Sequence, residues 1–195
     1  MFSGFSAYPQ PGALANAKVS AFGTDNTLCD DTEMKGGSVK FGSSNIVHPK
    51  ARIRNEGGGA IVFGSNNIVE EGVLIVNRSA ETLHIGSDNL FEVGSIFEGW
   101  GMGDGCVLEP RARVLPGASL GNNCVVGAQC STWENEQLAN DTVIYGGGDG
   151  LRRIQTARSR EQAVVHAKHI EYLKDVLKRF HPQKAGITQS IGVVS

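Results

Sequence analysis

Residues 102–130 read Met-Gly-Asp-Gly-Cys-Val-Leu-Glu-Pro-Arg-Ala-Arg-Val-Leu-Pro-Gly-Ala-Ser-Leu-Gly-Asn-Asn-Cys-Val-Val-Gly-Ala-Gln-Cys, a pattern that recurs every six residues. A large apolar residue occupies each sixth position, and a small residue follows it four positions later. The two series are Met102, Leu108, Val114, Leu120 and Val126, and Cys106, Ala112, Ala118, Cys124 and Cys130. A short fixed period predicts stacked, self-similar units. Three such hexads form one coil, and strand alternation directs the apolar and small side chains inward.

The same pattern extends through most of the chain. It begins weakly near Val19, is clear from Phe41, and reaches Tyr145-Gly146. Interruptions at residues 57–59, 77–84 and 99–101 predict loops. Five glycines mark one corner at spacings of 22, 22, 17 and 18 residues: Gly42, Gly64, Gly86, Gly103 and Gly121. The spacings predict coils of about 18 residues, enlarged in two places by a loop.

We predict four regions from this pattern. Residues 1–18, rich in Gly, Pro, Ser and Ala, are expected to be a flexible N-terminal segment. Residues 19–150 form the β-helix solenoid, 151–182 a linker and C-terminal helix, and 183–195 a flexible tail. The helix is predicted over 161–180 and is expected to pack on one sheet face. Its apolar residues at helical spacing are Val165, Tyr172, Leu173, Val176 and Phe180.

Polar and sulfur-containing residues also occupy the small inward position. Asn45, Asn67 and Asn89 hold it in successive coils, which predicts a buried hydrogen-bonded ladder. Cys106, Cys124 and Cys130 hold it later in the chain, and no pair of cysteines has CxxC spacing. We therefore interpret the cysteines as small core residues rather than zinc ligands, and predict neither a metal nor a cofactor.

Composition narrows the classes of function. The chain has 18 Lys and Arg against 20 Asp and Glu, with no basic block, which argues against nucleic-acid binding. No apolar run reaches the roughly 18 residues of a membrane helix. The first residues lack the charged start and apolar block of a signal peptide, so we expect a cytosolic protein.

Several segments, most of them within the repeat and one after it, resemble the dynactin subunit 6 family of pointed-end subunits. They are Val47-His-Pro-Lys-Ala-Arg-Ile53, Ile68-Val-Glu-Glu71, Phe91-Glu-Val-Gly94, Val143-Ile-Tyr-Gly146 and Leu151-Arg-Arg-Ile-Gln-Thr156. The resemblance runs from about residue 39 to 182. It implies a left-handed parallel β-helix with a C-terminal helix on its side, and a non-catalytic subunit in the cytoplasm and cytoskeleton.

The resemblance also implies partners and a role. The partners are dynactin subunit 5, which is a related β-helix, actin-related protein 11 and the 62-kilodalton dynactin subunit. The implied role is support of dynein-based transport and cargo attachment at the pointed end of the dynactin filament.

Two enzyme families share this repeat and remain the alternatives. A γ-class carbonic anhydrase holds its metal through three histidines, but the aligned positions here carry Ile75, Val93 and Glu98. A hexapeptide acyltransferase requires a histidine base. Only His48 and His84 lie in or near the solenoid, and both are expected to be surface residues.

Four residues are candidates for partner binding. Trp100 and Trp133 each lie where the repeat breaks, and exposed tryptophans are favoured interface anchors. The alternative is that both tryptophans cover a coil against the C-terminal helix. Arg152 and Arg153 could neutralise an acidic partner, or could be ordinary surface or helix-packing charges.

Overall fold

The protein is a parallel β-solenoid with one helix on its side. A computed structural model describes residues 14–148, 150–155, 160–185 and 188–189. The predicted flexible segment 1–18 therefore falls largely outside the described residues, as does part of the tail. In chain order the strands are β1 Lys18–Ala21, β2 Thr27–Leu28, β3 Glu33–Lys35, β4 Ser38–Phe41, β5 Ile46–Val47, β6 Arg52–Asn55, β7 Ile61–Phe63, β8 Ile68–Val69, β9 Leu74–Asn77, β10 Leu83–Ile85, β11 Leu90–Phe91, β12 Ile96–Phe97, β13 Gly101–Met102, β14 Val107–Leu108, β15 Arg113–Val114, β16 Ser119–Leu120, β17 Val125–Val126, β18 Gln137–Leu138, β19 Thr142–Tyr145 and β20 Leu151–Ile154; helix α1 (Arg160–Phe180) and strand β21 (Thr188–Gln189) follow.

The strands form three sheets that the chain visits in turn. Sheet I has the order β18-β16-β13-β10-β7-β4-β1-β21, sheet II the order β2-β5-β8-β11-β14-β17-β19-β20, and sheet III the order β15-β12-β9-β6-β3. Every pairing is parallel except that of β19 with β20. The predicted parallel β-helix and its six-residue register are confirmed.

The interior is filled by the residues that the repeat selects. Phe41 stacks on Phe63 in the next coil, with ring centroids 4.8 Å apart and an interplanar angle of 16°. Phe91 meets Phe97 edge to face at 6.2 Å. All four cysteines are buried and free, as small core residues should be. Because alternation sends every second side chain into this column, each coil packs on its neighbours.

The corners need residues that tolerate left-handed backbone. The corner between sheets I and II has φ near +60° at Asp25, Ser44, Asn66, Asp88 and Asn123. Asn and Asp adopt this region more readily than other residues that carry a Cβ atom. The polar residues between hexads therefore set the turns, while the apolar residues set the core.

The asparagine ladder is present and starts one coil earlier than predicted. Asn45 Nδ2 donates to Asn26 Oδ1 at 3.0 Å, and Asn67 Nδ2 donates to Asn45 Oδ1 at 2.9 Å. The backbone N–H of Asn89 then donates to Asn67 Oδ1 at 3.1 Å. The same inward position continues with Cys106, whose thiol lies 3.0 Å from the Gly121 carbonyl oxygen. The ladder thus connects successive coils through buried side chains.

Helix α1 packs on the outer face of sheet II. Ile170, Leu173 and Leu177 are buried against Cys29, Ile46 and Ile68. Its position is fixed by His166 Nε2, 2.7 Å from the Asn66 carbonyl oxygen, and by Lys174, which pairs with Asp25. No helix among the described residues is long and apolar enough to cross a membrane.

The buried helix face differs from the one that apolar spacing suggests. Val165, Tyr172 and Phe180 are exposed by 66%, 64% and 74%, whereas His166 is buried. The helix meets the sheet along the residues 166, 170, 173 and 177, a spacing of three to four that places them on one side. Of the five apolar residues predicted to lie on the packed face, only Leu173 is buried, and Ile170 and Leu177 complete the apolar stripe that contacts the sheet.

Candidate interaction surfaces

Both tryptophans lie on the corner between sheets III and I, away from the helix. Trp100 lies between β12 and β13, and Trp133 lies in the equivalent connection that precedes β18. Their side chains are 67% and 53% exposed. The helix covers sheet II instead, so the structure does not place either tryptophan beneath it. This corner carries the most exposed aromatic surface of the solenoid coils.

Trp100 separates two clefts. The first, of about 280 Å³, is lined by the loop after β9, including Asn77, Glu81 and Leu83. The second, of about 400 Å³, continues past Glu98 toward Glu134. The loop that breaks the repeat after residue 77 therefore lines the first cleft, and Trp100 lines both clefts.

An ion-pair network borders the second cleft across three coils. Arg78 pairs with Glu56 in the preceding coil and with Glu98 in the following coil, the latter at 2.6 Å. Exposed pairs of this kind contribute little individually. Beyond this network, one further carboxylate lines each cleft, Glu81 in the first and Glu134 in the second.

Trp133 belongs to a compact cluster with Arg152 and Glu136. The Arg152 guanidinium carbon lies 3.7 Å above the Trp133 ring. Arg152 Nε and Nη2 donate to the two oxygens of Glu136 at 2.7 and 2.8 Å, a bidentate arrangement. Burial alone would raise the pKa of the Glu136 carboxyl group. Hydrogen bonds from Arg152 and from the backbone N–H of Trp133, at 2.7 Å, outweigh burial and lower that pKa below its ordinary value.

Arg152 is therefore engaged within the chain. Its side chain is 17% exposed, and further N–H groups donate to the carbonyl oxygens of Gly150 and Ser131 at 3.0 and 3.3 Å. Arg153 alternates to the other face of β20 and lies 5.2 Å over the ring of Tyr145. The two neighbouring arginines thus have different surroundings, because successive residues of a strand face opposite sides.

The positions considered for catalysis lie in different surroundings. Ile75 is fully buried in the core, Val93 is 49% exposed, and Glu98 pairs with Arg78. His84 is exposed on β10, as predicted. His48 was expected to be an ordinary surface residue, but it is half-buried beside the helix. Among the described residues, no group of three or more histidine, cysteine, aspartate or glutamate side chains could hold a metal ion.

Sequence reasoning missed two surface features at the C-terminal end of the solenoid. Leu151 and Ile154 on β20 are 63% and 66% exposed, although both are large and apolar. Glu136, which orients Arg152, was also not recognised. The glycine-rich run 146–150 indicated a turn before β20. The hexad pattern does not predict that the chain then returns as an antiparallel strand.

Comparison with known proteins identifies the family. No family model matches the chain. A solved structure described as an acetyltransferase from Bacillus cereus aligns over 85% of this chain and 99% of its own, with a TM-score of 0.48 and 10% identity, too distant to support any functional argument. Three relatives are named Dynactin subunit 6. The one from Nematostella vectensis is 37% identical, covering 83% of this chain and 90% of its own. The one from Xenopus tropicalis is 35% identical, covering 90% and 88%, and the one from Dictyostelium discoideum is 34% identical, covering 92% and 96%. With this identity along nearly the whole length, the chain belongs to the dynactin subunit 6 family.

Proposed function

We propose that the chain is a non-catalytic structural subunit of dynactin. The single observation that carries the proposal is its identity of 34–37% to dynactin subunit 6 relatives along 83–92% of this chain. In this role it belongs to the pointed-end complex in the cytoplasm and cytoskeleton, and supports dynein-based transport and cargo attachment.

The non-catalytic assignment is supported by what occupies the solenoid. Side chains fill its interior from Phe41 to Ile144, as they do in repeat scaffolds that act by presenting surface. The position at which a γ-class carbonic anhydrase would place a histidine ligand carries Ile75, fully buried in this core. Glu98, which lines the second cleft, is paired with Arg78 at 2.6 Å, so its carboxylate is engaged in an ion pair.

The proposed partners are dynactin subunit 5, actin-related protein 11 and the 62-kilodalton dynactin subunit. We assign their contacts to the exposed aromatic corner, with Trp100 as the main anchor and Trp133 beside it. Arg153 remains a candidate for an acidic partner group. Arg152 acts differently in this proposal, since its ion pair with Glu136 positions the Trp133 ring.

The test is affinity purification of the tagged full-length chain from cytosol, followed by identification of the co-purifying proteins. Dynactin subunits should co-purify with the wild-type chain. The Trp100→Ala variant should recover less of them, while Tyr172→Ala, which removes an aromatic side chain of nearly equal exposure from the helix, should not.

Two outcomes would contradict the proposal. One is a wild-type chain that recovers no dynactin subunit. The other is bound zinc accompanied by carbon dioxide hydration, or saturable binding of acetyl-coenzyme A, either of which would favour an enzyme. Equal recovery with Trp100→Ala and Tyr172→Ala would remove Trp100 from the interface without affecting the assignment to dynactin.

A further inference from the structure

The corner between sheets III and I has an excess of negative charge. The chain crosses this corner through residues 36–37, 56–60, 78–82, 98–100, 115–118 and 133–136. The charged side chains in these connections are Arg78, Glu56, Glu81, Glu98, Glu134 and Glu136. The whole chain, in contrast, has 18 Lys and Arg against 20 Asp and Glu. The excess of carboxylates is therefore a local property of the corner that also carries both tryptophans.

Arg78 does not neutralise this charge. Its guanidinium is shared between Glu56 and Glu98, so one cation serves two carboxylates. Glu81 and Glu134 are exposed and line the first and the second cleft respectively. Because Trp100 lines both clefts, a partner that covers its ring also meets these carboxylates.

The same corner already binds a cation from elsewhere in the chain. Arg152 belongs to strand β20, outside the corner, and its guanidinium carbon lies 3.7 Å above the Trp133 ring. Glu136, in the same connection as Trp133, accepts two hydrogen bonds from this guanidinium. The negative face of an indole attracts a cation, and a carboxylate matches the guanidinium fork. An aromatic ring and a carboxylate of this corner thus form a site for an arginine side chain.

Trp100 offers the same two groups on an open surface. Its side chain is 67% exposed, so most of the indole is accessible to a partner. The first cleft, of about 280 Å³, is lined by Leu83 as well as by Glu81. A long cationic side chain matches such a surface, because its methylene stem packs on apolar groups while its charged head meets a carboxylate.

We infer that Trp100, Glu81 and Glu134 bind a cationic segment of a partner protein. An arginine guanidinium of that segment lies over the Trp100 indole, in the way that Arg152 lies over Trp133. An apolar partner surface fits less well, because it would remove the carboxylates from water without replacing their hydrogen bonds. Arginine suits the site better than lysine, since its planar guanidinium both stacks on an aromatic ring and pairs with carboxylates through two N–H groups. The inference rests on the proposed function for the partner's identity as a dynactin subunit, and adds the chemistry by which this corner recognises it.

The two tryptophans allow a direct test by NMR with the full-length chain. Each gives one indole Nε1–H signal, assigned with Trp100→Phe and Trp133→Phe. The probe is a short peptide with two arginines separated by glycine, titrated at low ionic strength, where surface charges are least screened. The control peptide carries citrulline, a neutral residue of the same shape, in place of each arginine. Trp133 is an internal control, because Arg152 already lies over its ring.

We expect the arginine peptide to shift the Trp100 signal saturably and to leave the Trp133 signal largely unchanged, whereas the citrulline peptide should shift neither. The double variant Glu81→Gln, Glu134→Gln should weaken binding of the arginine peptide by about two- to tenfold, because two exposed charge contacts are lost. It should also recover less dynactin from cytosol. Glu171→Gln, which removes an exposed carboxylate from helix α1, should change neither measurement.

Four results would overturn the inference: no shift of the Trp100 signal, equal shifts with the citrulline peptide, unchanged peptide binding in the double variant, or unchanged dynactin recovery in that variant. None of them removes the proposed function, which is decided by whether the wild-type chain recovers dynactin subunits. A wild-type chain that recovers no dynactin but binds the arginine peptide at Trp100 contradicts the proposed function and leaves the cation site in place.

Discussion

The asparagine ladder gives a prediction whose size follows from counted hydrogen bonds. In Asn67→Ala, the Gly86 carbonyl oxygen loses its donor at 2.9 Å, and the Asn89 N–H loses its acceptor at 3.1 Å. Asn45 Oδ1 keeps one partner, the backbone N–H of residue 67 at 3.1 Å. The Asn89 N–H is buried, and leaving it unpaired costs about 1–3 kcal/mol. The Gly86 carbonyl is only part-buried and costs less because water can reach it, so we expect a total loss of roughly 2–4 kcal/mol.

The matched comparison is Asn89→Ala, at the end of the ladder. Asn89 Oδ1 accepts from the Cys106 N–H at 2.7 Å, while its buried Nδ2 has no acceptor among the described residues. Removing this side chain leaves one group unpaired and also removes an unpaired donor. We therefore expect Asn89→Ala to lose less stability than Asn67→Ala, although both delete the same atoms from the same inward position.

Thermal unfolding followed by far-UV circular dichroism measures the difference. For a chain of this length, 1 kcal/mol corresponds to about 2–4 °C, so Asn67→Ala should lower Tm by on the order of 10 °C. Equal losses, or a larger loss in Asn89→Ala, would show that the ladder does not act as a connected network.

Three further predictions concern titratable groups. Burial, together with the nearby Glu70 and Glu109, raises the pKa of Glu92, so the ionised carboxylate destabilises the folded protein at neutral pH. Glu92→Gln should therefore raise Tm at neutral pH, and the gain should disappear below about pH 4, where residue 92 of the wild type is protonated in the folded and the unfolded chain. A lower Tm at neutral pH would contradict this. Burial lowers the pKa of His48, with further lowering by His169 and His181 and an opposing effect of Glu71. As pH falls below about 6.5, His48 is therefore protonated in the unfolded chain before it is protonated in the folded chain, and the folded state loses stability. His48→Gln should flatten that loss in urea titrations and His84→Gln should not; equal pH dependence in both would count against the burial of His48. A hydrogen bond with the Cys124 thiol, together with burial, raises the pKa of the Cys106 thiol, and all four cysteines are buried. A thiol reagent should therefore label the protein only after unfolding in guanidinium, and rapid labelling of the native chain would disagree with this placement.

The core of the solenoid could be predicted because its contacts repeat. Each inward residue meets the residue one coil away, at nearly fixed spacing along the chain. The positions of Phe41 and Phe63 therefore follow from the period alone, and so does the ladder through Asn67. The corners follow for the same reason, since the backbone at each turn needs residues that tolerate positive φ.

The helix face was not predictable at that level. Val165 and Phe180 fit helical spacing as well as Leu173 does, but only Leu173 is buried. The buried stripe of residues 166, 170, 173 and 177 also has helical spacing. Two overlapping stripes are therefore present in the sequence, and the contact with sheet II selects between them. The half-buried position of His48 has the same origin, because His169 of the helix lies near this histidine although it is more than a hundred residues later in the chain.

For the residues proposed to bind partners, too, the sequence determined some features and the tertiary structure others. The sequence alone determined that Trp133 lies at a break in the repeat and that Arg152 and Arg153 are consecutive charges. Only the tertiary structure decided that Arg152, opposite Ile144 on the returning strand, is paired with Glu136, while Arg153 lies over Tyr145.

The repeat of residues 102–130, by itself, determined the solenoid, its register and the residues of its core, because those contacts are local from one coil to the next. The tertiary structure alone decided which helix face is buried and which segments close each end of the solenoid. These features join segments far apart in the chain, such as Lys184 with Leu28, so their partners are set by the folded geometry and not by any period in the sequence.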